Sequence, residues 1–243
     1  MRYSQGRRVT RMQKIEIKNL SKSYGSKKVI EDLTLTLEGN RIYGLIGENG
    51  TGKSTLLRLI SGLARPTKGT IEVNGKKNAE ERRSQIAYLS DQEAFDGFST
   101  IAYQVDFHQK MVTGFQVDRV YDMLNTIRLS VDQKIKNLSK GHRNLFNLIL
   151  TLANPAPILV LDEPLSGIDT NKKEDLVQLL STFTLDEERL IIFATHEYDE
   201  IEFLIDGLII IKDSRLVYFT EDLEKMRLEH GKTIQQIFKE VNQ

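Results

Sequence analysis

Cysteine is missing altogether from the 243 residues. Without thiols the chain can build neither a disulfide framework nor a thiolate metal site, and it is compatible with a reducing cytosol. An excess of either charge is missing too: 34 Lys and Arg stand against 34 Asp and Glu. With a formal net charge of zero, no global field draws the protein onto nucleic acid or anionic lipid, and nucleic acid is not an expected partner. No apolar run approaches the roughly 20 residues needed to span a bilayer. The start, with Arg2, Arg7, Arg8 and Arg11, lacks the apolar centre of a signal peptide. Residues 1–11 therefore read as a flexible tail ahead of Met12. Low-complexity sequence is absent, and at 40% hydrophobic the chain can bury a proper core.

What the chain does have is organised around Gly47-Glu48-Asn49-Gly50-Thr51-Gly52-Lys53-Ser54-Thr55. An apolar run, Ile42 to Ile46, precedes this stretch, and a helical pattern of Leu56, Leu57, Leu59, Ile60 and Leu63 follows it. Strand, glycine-rich turn and helix start are the context of a Walker A loop. Phosphate oxygens need donors from several directions, and glycines let the backbone curl tightly enough to supply them. The first N–H groups of the helix add their share of positive potential. In this pattern Lys53 reaches the β- and γ-phosphates and Ser54 offers its hydroxyl to Mg²⁺. Nucleotide binding is the expectation.

Upstream, Ile15 and Ile17, then Leu33, Leu35 and Leu37, alternate with polar residues as half-buried antiparallel strands do. Tyr24-Gly25-Ser26 turns between them, making Tyr24 a candidate to stack on adenine. Downstream, Gly62 caps the Walker helix, Thr70 to Val73 form a strand, Asn74-Gly75 turns, and Ile86 to Leu89 form a buried strand. Residues from about 93 to 150 read as an inserted helical lobe with Thr100 as an N-cap. Ile158 to Leu161 and Leu190 to Thr195 are apolar throughout, as central parallel strands are. A helix over Asn171 to Phe183 separates them, and Leu208 to Ile211 with Leu216 to Phe219 close as a hairpin. Polar residues at the C-terminal ends of apolar strands describe an open α/β sheet with its ligand along that edge.

Asp162 ends such a strand and matches a Walker B carboxylate for Mg²⁺, with Glu163 as candidate general base. His196 ends another and is the candidate γ-phosphate sensor. Leu138-Ser139-Lys140-Gly141-His142 opens a further helix with Ser139 as its cap.

Taken together with Ser166-Gly167-Ile168-Asp169, these motifs resemble the ATP-binding-cassette (ABC) ATPases over roughly Ile15 to Phe219. The resemblance implies an α/β P-loop NTPase fold with a mostly parallel central sheet, an N-terminal antiparallel β subdomain and an inserted α-helical lobe. It implies a single domain over 12–220 and a short helical extension over 221–243. It also implies ATP and Mg²⁺ as cofactors, with catalytic roles for Glu163, His196 and Lys53. A second cassette, identical or similar, would read this chain's ATP with its own counterpart of Ser139, Lys140 and Gly141, while Asp169 would run along the dimer interface. Separate membrane-spanning permease subunits would hold the cassette at the inner face of the cell membrane. The ending Leu223 to Phe238 resembles short exporter tails; a soluble ABC-type ATPase of a non-membrane assembly is the alternative. Lys140 and His142 stand where the commonest signature has Gly and Gln. The Mg²⁺-sensing Gln of the family falls on Asp91 by position and on Gln92 by identity.

Overall fold

The computed structural model describes residues 12–91, 95, 98–167, 170–184, 188–197, 199 and 201–242. The expected tail, Gln92 and Asp169 lie outside these residues.

Strands β1 (Lys14–Tyr24) and β2 (Lys27–Glu38) form an antiparallel hairpin. Their apolar positions fall opposite one another, Ile15 with Leu37 and Ile17 with Leu35, so one face of the pair is continuous and apolar. Strand β4 (Lys68–Val73) adds to the other edge of β1 and completes a three-stranded sheet. The larger sheet has six strands in the order β5 (Ile86–Leu89), β6 (Ile158–Asp162), β7 (Leu190–Thr195), β3 (Ile42–Ile46), β8 (Gly207–Lys212) and β9 (Arg215–Thr220). The first five are parallel and β9 runs back against β8. Thus the closing hairpin is built onto β3, and its first strand extends the parallel set.

Strands β3, β6 and β7 are buried at every position, which is why they are apolar without alternation. Period two nevertheless sorts their side chains between two cores. Tyr43, Leu45, Val160 and Ile192 pack toward the antiparallel sheet and helix α1 (Lys53–Ile60). Ile42, Ile46, Leu159, Leu161 and Phe193 pack toward α3 (Ile101–Met111), α4 (Val117–Thr126), α5 (Lys140–Leu152) and α6 (Thr170–Thr184). Thr100 caps α3 by accepting from the Tyr103 N–H at 3.2 Å. Among the described residues, helical structure in the expected lobe starts at Ile101, with a short 3₁₀ turn (Ile135–Asn137) ahead of α5. After the hairpin, α7 (Leu223–His230) and α8 (Ile234–Asn242) fold back, burying Leu223, Met226, Ile234 and Ile237 in the second of these cores.

One element has no counterpart in the sequence reading: α2 (Ala79–Arg83), started by the Asn78 side chain, which accepts from the Glu80 N–H at 2.8 Å. One alanine and four charged residues carry no apolar period, so nothing in the pattern marks it. The helix delivers the buried Arg82, whose Nη1 donates to the carbonyls of Leu59 at 3.0 Å and Ile60 at 3.4 Å. These are the last carbonyls of α1, where backbone partners run short (Leu59 O also accepts from the Gly62 N–H at 3.2 Å), and a cation there suits the helix dipole. Burial lowers the pKa of Arg82. Helix α5 ends in the same way: Arg189 Nη1 donates to Leu152 O at 3.1 Å, and burial brings Arg189 down to about 10.

Phe193 lies at the centre of the sheet with 1% of its surface exposed. Phe193→Ala is expected to lower the unfolding free energy by about 3–5 kcal/mol through the cavity it leaves, measured by urea denaturation.

Candidate functional site

The parallel strands β3, β6 and β7 deliver Gly47, Asp162–Glu163 and His196 to one edge of the sheet. The loop after β3 runs close beneath its neighbours. A Cβ on Gly47 would lie 2.5 Å from the Ile211 carbonyl oxygen. Gly52 has φ +110°, and a Cβ there would lie 2.6 Å from Val29 O. Helix α1 begins at once with Lys53, whose side chain is only 5% exposed. Its ammonium is held by oxygens: Gly47 O at 2.7 Å, Glu48 O at 3.2 Å and Glu163 Oε1 at 3.4 Å. A buried charge needs such partners.

Asp162 is fully buried at the end of β6. Ser54 donates to its Oδ1 at 2.9 Å and Tyr88 Oη donates to its Oδ2 at 2.8 Å. Burial raises the Asp162 pKa, opposed by the hydrogen bonds from Tyr88 and Ser54. Burial, together with the adjacent carboxylate, also pushes the Tyr88 hydroxyl up. Among the described residues, then, neutral hydroxyls alone donate to this carboxylate. That donor set fits a divalent cation, since Mg²⁺ takes hard oxygen ligands, commonly one carboxylate plus substrate phosphates. Among the described residues no group of three or more acidic, His or Cys side chains forms a protein-only metal cage.

Glu163 sits at φ +50°, in the left-handed region, while its N–H still donates to Ala194 O at 2.9 Å. This twist carries the carboxylate off the strand line and into the cleft. Its Oε2 lies 2.9 Å from His196 Nδ1 and its Oε1 faces Lys53. An ionised Glu163 can only accept, so the contact places a ring proton on Nδ1. Lys53, Glu163 and His196 are therefore one connected group.

A cleft of about 410 Å³, within the range of small-molecule sites, is lined by Lys53, Ser54 and Glu163 of this cluster, with His196 and Asp162 set behind Glu163 and Ser54. Asn49, Gly50, Thr55 and Tyr24 also line it. The Tyr24 ring is half exposed, with the Lys22 ammonium 4.5 Å from its centre. Asp91 lines the cleft as well and lies 3.6 Å from Arg58 Nη2.

Ser139, Lys140 and Gly141 are not among the residues lining this cleft. Ser139 caps α5, its hydroxyl accepting from the His142 N–H at 3.2 Å with His142 Nδ1 at 3.3 Å. Lys140 extends over Gly167: a Cβ on that glycine, which has φ +70°, would lie 2.7 Å from Lys140 Nζ. Asn144 Nδ2 donates to Ser166 O at 2.8 Å. Two side chains thus tie the signature helix to the turn that follows Glu163.

Sequence reasoning missed Tyr88 and Arg58. A signal existed: Tyr88 is the one polar-tipped residue of the β5 run, and period two puts it on the face shared by Val160 and Asp162. Confirming it takes the pairing of Tyr88 with Val160, which no single sequence states.

Comparison with known proteins gives the family. The sequence profile of the family described as ABC transporter matches residues 30–166. The ABC transporter ATP-binding protein YtrB of Bacillus subtilis (strain 168) is 30% identical over 221 residues, covering 90% of this chain and 75% of that protein. The methionine import ATP-binding protein MetN 3 of Oceanobacillus iheyensis is 31% identical over 219 residues, covering 84% of this chain and 64% of that protein. A solved structure described as the ATP binding subunit of an ABC transporter superposes with a TM-score of 0.81 at 23% identity, covering 94% of this chain and 99% of that one. The chain belongs to the ABC transporter family, as one of its ATP-binding ATPase cassettes.

Gly52→Ala is expected to lower stability by about 1–3 kcal/mol, because the new methyl group meets Val29 O in a backbone conformation that L residues avoid. Thermal unfolding beside the wild type measures it.

Proposed function

We propose that this cassette is the subunit that powers an exporting ABC transporter, two cassettes closing on ATP and parting after hydrolysis. One observation carries the reading. Lys53, Ser54 and Glu163 line one cleft, Asp162 is bonded to Ser54 and His196 to Glu163 just behind it, and the capped Ser139 is not among the lining residues. A complete site then needs the signature of a second copy, identical or similar.

Within each half site the loop from Gly47 to Thr55 cradles the phosphates and Lys53 turns its ammonium to the β- and γ-phosphates. Tyr24 offers its exposed ring to the adenine. Ser54 and Asp162 would hold Mg²⁺, which when bound neutralises charge on the phosphate oxygens. Asp91, at the position of the family's Gln, faces the same cleft. Glu163 has Oε2 taken up by the His196 N–H, leaving Oε1 to polarise the attacking water. His196 thereby orients the base as well as meeting the γ-phosphate. Lys140 and Gly141 present Ser139 to the partner's nucleotide, and Asp169 follows along the shared interface.

Among the described residues no helix is long and apolar enough to cross a membrane. We assign the membrane spans to separate permease chains, which would hold this subunit at the cytoplasmic face. Export rests on the likeness of the sequence from Leu223 to Phe238 to that of exporter cassettes. An import protein shares the cassette sequence at 31% identity, so the nucleotide site itself does not set direction.

Glu163→Gln tests the core of the proposal. ATP hydrolysis should fall by about 10²–10⁴-fold, the usual worth of a positioned base, while ATP still drives the variant into a dimer seen by light scattering. Hydrolysis at the wild-type rate would remove Glu163 from the role of base.

A further inference from the structure

Tyr88 is a half-buried strand residue whose hydroxyl the proposed chemistry leaves unused. It pairs with Val160 in register, so Asp162, two residues further along β6, is its diagonal neighbour on the same face. Such neighbours are within reach of an aromatic side chain, and Tyr88 Oη does reach Asp162 Oδ2 at 2.8 Å. Arg58, on the second turn of α1, lies 3.6 Å from Asp91 Oδ1, with the Tyr88 hydroxyl near enough to favour its charged form. Three side chains from β5, α1 and the loop after β5 thus stand in line behind the carboxylate.

We infer that Tyr88 is a positioning residue that occupies Oδ2 of Asp162, so that the carboxylate presents Oδ1, beside Ser54, to the cation. The inference rests on the reading of Asp162 as the Mg²⁺-holding carboxylate. A carboxylate free to rotate offers either oxygen, or both, to a cation. Asp162 is clamped from both sides instead, Ser54 on Oδ1 and Tyr88 on Oδ2. The donor on Oδ2 comes from the sheet, and the donor on Oδ1 comes from the loop that holds phosphate. Cation binding can exchange the second donor while the first keeps the carboxylate plane fixed. Hydrogen bonds of this kind to a ligating group commonly govern metal affinity as much as the ligand does. Arg58 stands near the Tyr88 hydroxyl and pairs with Asp91, which lines the cleft. The arm therefore links the loop after β5 to the carboxylate through side chains.

The test is the ratio of dissociation constants of a fluorescent, non-hydrolysable ATP analogue measured on the full chain without and with saturating Mg²⁺. For Tyr88→Phe, binding in EDTA should match wild type and the Mg²⁺-dependent gain should fall about tenfold. Arg58→Gln should shift the same ratio in the same direction by a smaller factor. Asp162→Asn should abolish the gain. If Tyr88→Phe keeps the wild-type ratio while Asp162→Asn loses it, Tyr88 is packing only and the inference is overturned. If Asp162→Asn keeps the wild-type ratio, the reading of Asp162 fails first and the inference falls with it. Should Tyr88→Phe not fold, Arg58→Gln decides: its side chain is 39% exposed, so it disturbs no core, and an unchanged ratio overturns the arm.

Discussion

A single carboxylate fully withdrawn from solvent, Asp162, sets the terms on which the surrounding structure is arranged. Burying it without a direct cationic partner is unfavourable, and burial raises its pKa accordingly. The fold meets that demand with two neutral donors from two elements, Ser54 from the start of α1 and Tyr88 from β5. Those donors fix how β5, β6 and α1 sit against one another at the C-terminal edge of the sheet. The loop that leads from β3 into α1 is then placed by the same bonds that place the carboxylate.

Glu163 extends the constraint by one residue. Continuing β6 in extended geometry would put consecutive side chains on opposite faces of the sheet. The left-handed conformation of Glu163 breaks that alternation and turns its carboxylate toward Lys53 and His196. For a glutamate this backbone region is uncommon and strained. The Glu163 N–H bond to Ala194 O holds it there from the neighbouring strand. Two carboxylates adjacent in sequence thereby serve different neighbours, Asp162 facing Ser54 and Tyr88, Glu163 facing Lys53 and His196.

Where function depends on local pattern, the sequence was easily read. The Walker loop shows as an apolar strand, spaced glycines and a helix start, and the apolar runs of β6 and β7 point directly to Asp162 and His196. Ser139 and Thr100 were legible as caps because a hydroxyl before an apolar period has one common use. What stayed hidden depends on pairing or on backbone angle. Helix α2 carries no period, Tyr88 gains its meaning only from register with β6, and nothing in an Asp-Glu pair announces the left-handed Glu163. Between Asp91 and Gln92, residue type favoured one and position the other; the folded chain puts Asp91 at the cleft, while Gln92 lies outside the described residues.

The arginine at the end of α1 and of α5 has a mechanical consequence. Arg82 and Arg189 pin the C-terminal carbonyls of α1 and α5, so each helix can swing about its far end more readily than it can slide. Helix α5, at 13 residues, is about 20 Å long, and a tilt of about 5° would carry Ser139 through roughly 1.7 Å. The same tilt of the 8-residue α1 would move its first turn by only about 1 Å. Lever length alone makes the signature end the more mobile of the two, and a displacement of that size is enough to make or break a hydrogen bond.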